Sequence, residues 1–420
     1  MYEVIRDPLW DNITLDETAV ALLDTPTVQR LRYVRQLGHA FLVYPGATHS
    51  RFEHALGAYH LTRRALAALA ATPEHHASVT PEACRAVSLA ALLHDIGHYP
   101  FSHALEEAGF PSHEALGTAR LGEGELGEVL RRTGGPALVD EIGLLIRGRS
   151  ASPLTGLISG TLDLDKIDYL SRDARMCGVP YGTVDVDRLL ASLIIVESGG
   201  RTRVGIQEKG VSALESLLFA KYQMYRNVYW HHAVRSATCM FKRAVRDAVR
   251  EGTVTVDQIG RLTDDAFMQQ LIERDGSPLA RAVRDRRLYK RALDLPASEV
   301  PDSAGWISEQ TDLLEVAENA VARQSGLEPG ELLIDFPTRP NMLAVDLPLR
   351  LRDGRVERLT SEGRAGHLGL PRIADELYRS AQRLRVFVAR PLPVDQRLIL
   401  DLIAQPATVV RDRITAEAAR

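Results

Sequence analysis

The chain has 420 residues, a formal net charge of −4 and 45% hydrophobic residues, enough to bury a sizeable core in two or three lobes of roughly 100–200 residues each. Its acidic balance excludes a generally basic protein that coats nucleic acid and confines any phosphate site to a local pocket. Three widely separated cysteines, Cys84, Cys177 and Cys239, give neither a disulfide framework nor a CxxC knuckle. No signal peptide and no uncharged run of about 18 apolar residues is present, so the expectation is a soluble cytoplasmic protein with no membrane partner.

In chain order, Asp24-Thr25-Pro26 places capping residues ahead of Val28, Leu31, Val34 and Leu37, whose spacing predicts a helix. Further helices are expected over 54–71 and 81–98, the latter apolar nearly all round and therefore buried. The 71–80 segment between them reads as a polar loop with His75 and His76 solvated, and Gly134-Gly135-Pro136 as a turn between helices. Segments 193–196 and 203–206, separated by Gly199-Gly200, predict a β-hairpin, and one long helix should follow over 211–250. Beyond a boundary near 250, residues 252–302 read as charged and helical, 331–336 and 342–346 as strands, and the last long helix should end near Gln405. The expected fold is mainly α: a helical core over 1–250 carrying a small β-hairpin, and an α+β C-terminal region over 251–420 that packs on the core and contributes to oligomerisation.

On a helix His94 and His98 share one face and Asp95 lies about 100° further round. Pro100 breaks the helix, and Phe101-Ser102-His103 restarts the chain nearby. A single buried histidine is more often a hydrogen-bonded core residue than a ligand; several together beside a carboxylate point to a metal. Imidazole nitrogen with carboxylate oxygen suits one divalent ion, Mn, Fe, Co, Ni or Zn, and Mg less well. His113-Glu114 is not followed by the second histidine of HExxH, and no Walker A loop exists. His103 and Glu106, three apart, can pair on one helical face. Asp165, Tyr169 and Asp173 recur every four residues and share another. The plainer reading of Lys166, Asp168, Arg172 and Arg175 is helical ion pairing, and of Tyr169 a core aromatic.

The order His54, His94-Asp95, Asp165 resembles the H…HD…D signature of the HD-domain metal-dependent phosphohydrolases. Within them, Gln29-Arg30-Leu31-Arg32, Tyr44-Pro45-Gly46-Ala47-Thr48-His49-Ser50-Arg51-Phe52-Glu53-His54, Leu93 through His103, Asp163-Leu164-Asp165-Lys166-Ile167-Asp168-Tyr169 and Tyr225-Arg226-Asn227 resemble the deoxynucleoside triphosphate triphosphohydrolase branch. That branch is typified by the animal sterile-alpha-motif and HD-domain enzymes, and the resemblance covers about residues 1–240. It implies that His54, His94, Asp95 and Asp165 hold the metal, with a second Mg arriving with the triphosphate. It implies that Lys166, Tyr169 and Asp173 contact substrate phosphate and sugar, that Gln36 and Leu37 lie near the 3′-hydroxyl, and that Arg51 and Arg226 grip the triphosphate. His103, supported by Glu106 with His113 and His98 nearby, would handle protons; Glu106 stands where the family often has aspartate. Attack at the α-phosphorus would release a deoxynucleoside and inorganic triphosphate.

Asp24, Gln29 and Arg32 match positions that bind an activating nucleotide (GTP or dNTP) between subunits of the animal enzymes, although Arg6 replaces their usual asparagine; a homo-oligomer, dimer or tetramer, is expected. His39 and His49 could reach a nucleotide, and His231-His232 could line the cleft or sit in a packed helix. Competing readings are an HD phosphohydrolase acting on a monophosphate or a guanosine alarmone, and a nucleotide-sensing or single-strand nucleic-acid-binding regulator.

Overall fold

The computed structural model describes residues 3–337, 343–360, 369–392 and 394–418. A hairpin of β1 (Glu3–Asp7) and β2 (Asp11–Leu15) leads into α1 (Glu17–Leu23) and the single turn α2 (Pro26–Gln29). The helix expected to continue through Val34 and Leu37 tightens into a 3₁₀ turn over Arg30–Tyr33 and stops. Val34 and Gln36 leave it to bond the segment ahead of the next helix: Arg51 N donates to Val34 O and Gln36 N to His49 O. An apolar spacing of three suits the three-residue repeat of a 3₁₀ turn.

α3 (Arg51–Ala70) begins three residues before its predicted start, because Ser50 and Glu53 close a reciprocal capping box. α4 (Pro81–Leu93), capped by Thr80, is buried from Ala86 to Leu93 as its composition requires. It stops at His94, short of the predicted 98. Ile96 N donates to Leu93 O and His98 N to Asp95 O, turning the chain; His94 and His98 therefore project from a helix end and the turn after it, not from one helical face. In the 71–80 loop His76 is exposed as expected, whereas His75 is buried, its Nε2 3.4 Å from the Ile195 N–H it accepts.

α5 (His113–Arg120) and α6 (Gly124–Ile146) follow, and α6 breaks at Gly134-Gly135, with Gly135 at φ 70°. α7 (Leu164–Cys177) packs against α3. After α8 (Val186–Leu190), β3 (Leu193–Ser198) and β4 (Arg201–Gln207) pair antiparallel through Gly199-Gly200, both at positive φ, as a two-residue hairpin turn demands. The single helix expected over 211–250 is two, α9 (Val211–Met224) and α10 (His232–Arg250), separated by a π turn over Tyr225–Tyr229. His231 leaves helical geometry and accepts from Ala233 N, starting α10 afresh.

The helical reading of 252–302 holds through α11 (Val256–Arg261), α12 (Asp264–Glu273) and α13 (Pro278–Arg284), then gives way to β5 (Lys290–Pro296). α14 (Trp306–Glu309) and α15 (Thr311–Gln324) precede β6 (Leu332–Asp335), the strand expected over 331–336. The strand expected over 342–346 begins instead at Leu347: Met342 lies outside the described residues and 343–346 are not extended into a ladder. β7 (Leu347–Arg350), β8 (Val356–Leu359), α16 (Ala374–Ala381), β9 (Arg383–Val388), α17 (Gln396–Ile403) and α18 (Ala407–Ala418) complete the described chain. The helix predicted to end near Gln405 ends at Ile403, and Pro406 separates it from α18.

The fold is mainly α with small sheets. β7 adds to the β3–β4 hairpin in parallel and carries β8, and β9 lies between β5 and β6. One apolar core joins α3, α4, α6, α7 and α9 to that hairpin. A second packs Tyr99, Phe101 and Leu105 against Phe241 of α10 and Phe267 of α12, seating the segment between α4 and α5 on the C-terminal half. No described helix is long and apolar enough to cross a membrane.

Candidate active site

His54 enters the site from the first turn of α3, His94 from the end of α4, Asp95 from the turn beyond it and Asp165 from the first turn of α7. His54 Nε2 lies 2.7 Å from Asp165 Oδ1, 3.3 Å from His94 Nε2 and 3.8 Å from Asp95 Oδ2. His94 Nε2 is 3.2 Å from Asp95 Oδ1 and 3.5 Å from Asp165 Oδ1. The other ring nitrogens are engaged outside this centre: His54 Nδ1 donates to Asp168 Oδ2 at 2.8 Å and His94 Nδ1 to Ala91 O at 2.8 Å. Those bonds hold each ring with its Nε2 turned into the centre. Burial opposes charge on His54, yet Asp165 and Asp168 raise its pKa to about 10. A pocket that pulls protons onto buried imidazoles has an excess of negative charge that a dication would balance, and the nitrogen–oxygen donor set fits a divalent ion.

Arg51 is buried behind this centre. Its guanidinium donates to Asp95 Oδ2 at 2.5 Å, to Ser102 Oγ at 2.9 Å and to Gln36 O at 3.5 Å. Against the cost of burial, Arg51 first and then His94 and His98 hold Asp95 well below the usual carboxylate range. A second cluster abuts the first through Asp95, whose Oδ1 is 3.2 Å from His98 Nε2. Glu106 accepts from His113 Nδ1 at 2.8 Å, lies 3.4 Å from His103 Nδ1, and the His98 and His113 rings stack with centroids 3.7 Å apart. Glu106 thus orients His113 more directly than His103. Burial, Arg51 and His113 push His98 well below the usual imidazole value, so it is neutral. Phe101 and Ser102 both adopt positive φ, 59° and 62°; this left-handed turn, costly for residues with side chains, swings His103 outward, where its side chain is 59% exposed.

Residues 51–173 match the HD domain, and residues 184–362 match the HD-associated region. The chain carries an HD domain followed by an HD-associated region. An uncharacterized protein of Methanocaldococcus jannaschii is 35% identical over 306 residues, covering 73% of this chain and 62% of that one. One from Bacillus subtilis is 36% identical over 249 residues, covering 59% and 56%. The human deoxynucleoside triphosphate triphosphohydrolase SAMHD1 is 26% identical over 343 residues, covering 69% of this chain and 54% of its own. The chain therefore spans less than two thirds of the length of these relatives. A crystal structure of a hypothetical protein from Aquifex aeolicus superposes with a TM-score of 0.73 at 27% identity, covering 96% of this chain and 99% of that one.

In this HD-domain chain Tyr169 presents its ring edge to His54, centroids 6.3 Å apart, and neither Tyr169 nor Tyr225 makes a side-chain hydrogen bond to a described residue. Asp173 is engaged at both oxygens, by His49 Nε2 at 2.8 Å and Tyr229 OH at 2.7 Å. Gln36 is buried with its Oε1 unpartnered, beside half-buried Leu37. Lys166 donates to Asp163 and to Gly160 O. Arg226 is exposed and donates to Tyr222 OH, which contacts Ser380; no described contact ties it to the metal residues. The cation that α9 turns toward the centre is Lys221, which sequence reasoning missed. Burial, followed by Lys166, lowers it to about 8, against the pull of Asp163 and Asp165.

Asp168 was legible only as an ion-pair partner of Arg172, a bond the structure contains at 2.9 Å. Its bond to His54 was not. His39 is a core residue, stacked on Phe101 at 4.3 Å, and burial lowers its pKa to about 3. The His231 and His232 rings lie side by side at the start of α10, centroids 4.4 Å apart and tilted by 33°. Asp24 is exposed at the end of α1, Gln29 bonds Leu23 O and Arg32 Nε, and the Arg32 guanidinium lies 3.6 Å over Phe52.

Proposed function

We propose that this protein hydrolyses deoxynucleoside triphosphates to deoxynucleosides and inorganic triphosphate in a metal-dependent reaction. The observation that carries the reading is a His54/His94/Asp95/Asp165 centre joined through Asp95 to the His98/His103/Glu106/His113 cluster and flanked by Lys166 and Lys221. The likeness to SAMHD1 supports the substrate class. When bound at the first cluster, a divalent ion would polarise a phosphate and organise water. Lys166 and Lys221 neutralise phosphate charge, and Arg51 keeps Asp95 ionised and aimed. His103, the exposed imidazole of its cluster, exchanges the proton with substrate, while Glu106 and neutral His98 fix the neighbouring rings. Tyr169, Tyr225 and Gln36 offer unspent polar groups to the sugar, and Asp173 offers a buried carboxylate beside them.

The reaction is cytoplasmic in this reading. Asp24, Gln29 and Arg32 form a surface corner for an activating nucleotide between subunits of a homo-oligomer, and Arg32 stacks on the residue that follows Arg51. Incubation with each deoxynucleoside triphosphate and Mn or Mg, with and without GTP, should yield inorganic triphosphate. Asp165→Ala should reduce that yield below detection. Orthophosphate alone, or turnover confined to a monophosphate or a guanosine alarmone, would replace this reading with another HD phosphohydrolase activity.

A further inference from the structure

The β1–β2 hairpin lies outside residues 51–173, which match the HD domain, and takes no part in the chemistry above. Its outer side is open to solvent, with Glu3, Val4, Arg6, Asp11 and Asn12 all exposed. Its inner end is not. Asp7, only 3% exposed, closes the turn through Oδ1, which accepts from Leu9 N at 2.9 Å and Trp10 N at 2.8 Å. Its Oδ2 accepts from Arg172 Nη1 at 2.9 Å. The turn so formed aims the Trp10 indole inward, where Nε1 donates to Asp168 Oδ1 at 2.5 Å.

Asp168 is fully buried, and four bonds surround it: Trp10 Nε1 and Arg172 Nη2 at Oδ1, Arg172 Nε and His54 Nδ1 at Oδ2. A carboxylate offers about four acceptor sites, so each donor fills one and the group cannot rotate without giving one up. Arg172 grips both oxygens from α7, the helix that also carries Asp165. Among the described residues Trp10 is the one donor to Asp168 from outside α3 and α7. Without it, Oδ1 would be short of a bond that water cannot replace at a buried site, and the carboxylate would shift onto Arg172 and loosen its hold on His54.

We propose that Trp10 is a positioning residue: by filling Oδ1 of Asp168 it keeps Oδ2 on His54 Nδ1, so docking of the hairpin and binding of a divalent ion by His54 strengthen each other. This rests on the reading that His54, His94, Asp95 and Asp165 hold such an ion, and not on which substrate is hydrolysed. Linkage makes the effect reciprocal: a docked hairpin tightens the ion, and a bound ion tightens the hairpin.

The test is Mn²⁺ affinity of the full chain by competition with a chelator. Trp10→Phe keeps an aromatic ring beside His60, whose centroid lies 6.3 Å from that of Trp10, and removes the N–H. Substituting a direct partner of a metal-binding histidine costs about 10- to 100-fold in affinity, and Trp10 acts one bond further out, so a loss of about three- to tenfold is expected. Arg6→Ala removes bonds to Asn12 and Asp11 on the exposed side of the same hairpin; it loosens the strand pair without touching Asp168 and should leave the affinity unchanged. In an Asp168→Asn background Trp10→Phe should cause no further loss. Hydrogen exchange reads the reverse direction: Mn²⁺ should slow exchange of the amides of residues 3–15 several-fold in the unaltered protein and not in Trp10→Phe. Equal Mn²⁺ affinity in Trp10→Phe, an equal loss in Arg6→Ala, additive losses in the double variant, or hairpin exchange indifferent to Mn²⁺ would each overturn the proposal and leave the metal reading standing. An unaltered protein that binds no Mn²⁺ would overturn both.

Discussion

Asp168 determines which nitrogen of His54 faces His94, Asp95 and Asp165. Its Oδ2 accepts from His54 Nδ1 while both its oxygens also bind Arg172, which in turn reaches Asp7 on β1. Asp168→Asn would keep the size but permit an amide N–H to face Nδ1, favouring the tautomer with its proton on Nε2. The expected result is a 10- to 100-fold loss of metal affinity, measured by competition with a chelator, in a protein that still folds. An unchanged affinity would show that Asp168 is only structural. Neighbouring Gly57 belongs to the same arrangement: a Cβ there would fall 1.8 Å from Asp168 Oδ1. None of this was legible in the sequence, where Asp168 and Arg172 are four apart and read as an ordinary helical pair; the pair forms, and its surplus acceptor capacity serves a histidine 114 residues away.

At the scale of elements, the approach of α5 to the turn after α4 builds the second cluster. Gly97 makes the approach possible, since a Cβ would lie 2.0 Å from His113 O and 2.3 Å from Gly117 N. Both of these are backbone atoms that cannot rotate aside. Gly97→Ala should push α5 away, separate the His98 and His113 rings and cost about 1–3 kcal/mol of stability. Thermal melting together with turnover measures both effects, and a fully active, equally stable variant would contradict the packing. The hairpin and α3 were legible because their signals are local: two glycines at a turn, and Ser50 with Glu53 at a cap. The break between α9 and α10 was not, because residues 211–250 contain no proline or glycine inside the π turn. There Tyr229 turns to Asp173 and Trp230 packs on Tyr378 of α16, contacts that come from elsewhere in the fold.

For the molecule as a whole, Arg235 of α10 ties the turn that carries Glu106 and Glu107 to the C-terminal half. Its guanidinium donates to both oxygens of Glu107, at 2.9 and 2.8 Å, and to both of Asp335 on β6, at 3.0 and 2.6 Å. Removing the cation strands two carboxylates, so Arg235→Met should cost about 3–5 kcal/mol in denaturant unfolding. Burial would raise the Glu107 pKa, but Arg235 and Lys242 bring it down to about 2, below the unfolded value of about 4.3. This stabilisation is complete above that unfolded value and is lost as pH falls toward 2. Glu107→Gln should therefore lose less stability than the unaltered protein over that interval, and parallel acid titrations would contradict the assignment. Asp264 makes a similar long-range tie, accepting from Phe101 N at 2.8 Å and Arg35 N at 3.0 Å.

The sequence by itself determined the mainly helical fold, the caps and turns of its most regular elements, and the order of donors His54, His94, Asp95 and Asp165. Each depends on residue type and on neighbours a few positions away. Only the tertiary structure decided that Asp168 serves His54, that Glu106 holds His113 more closely than His103, that Lys221 faces the centre while Arg226 turns to Tyr222, and that Arg51 is spent on Asp95. These contacts join segments brought together by packing, and a periodicity specifies which face of an element is buried without specifying what that face meets.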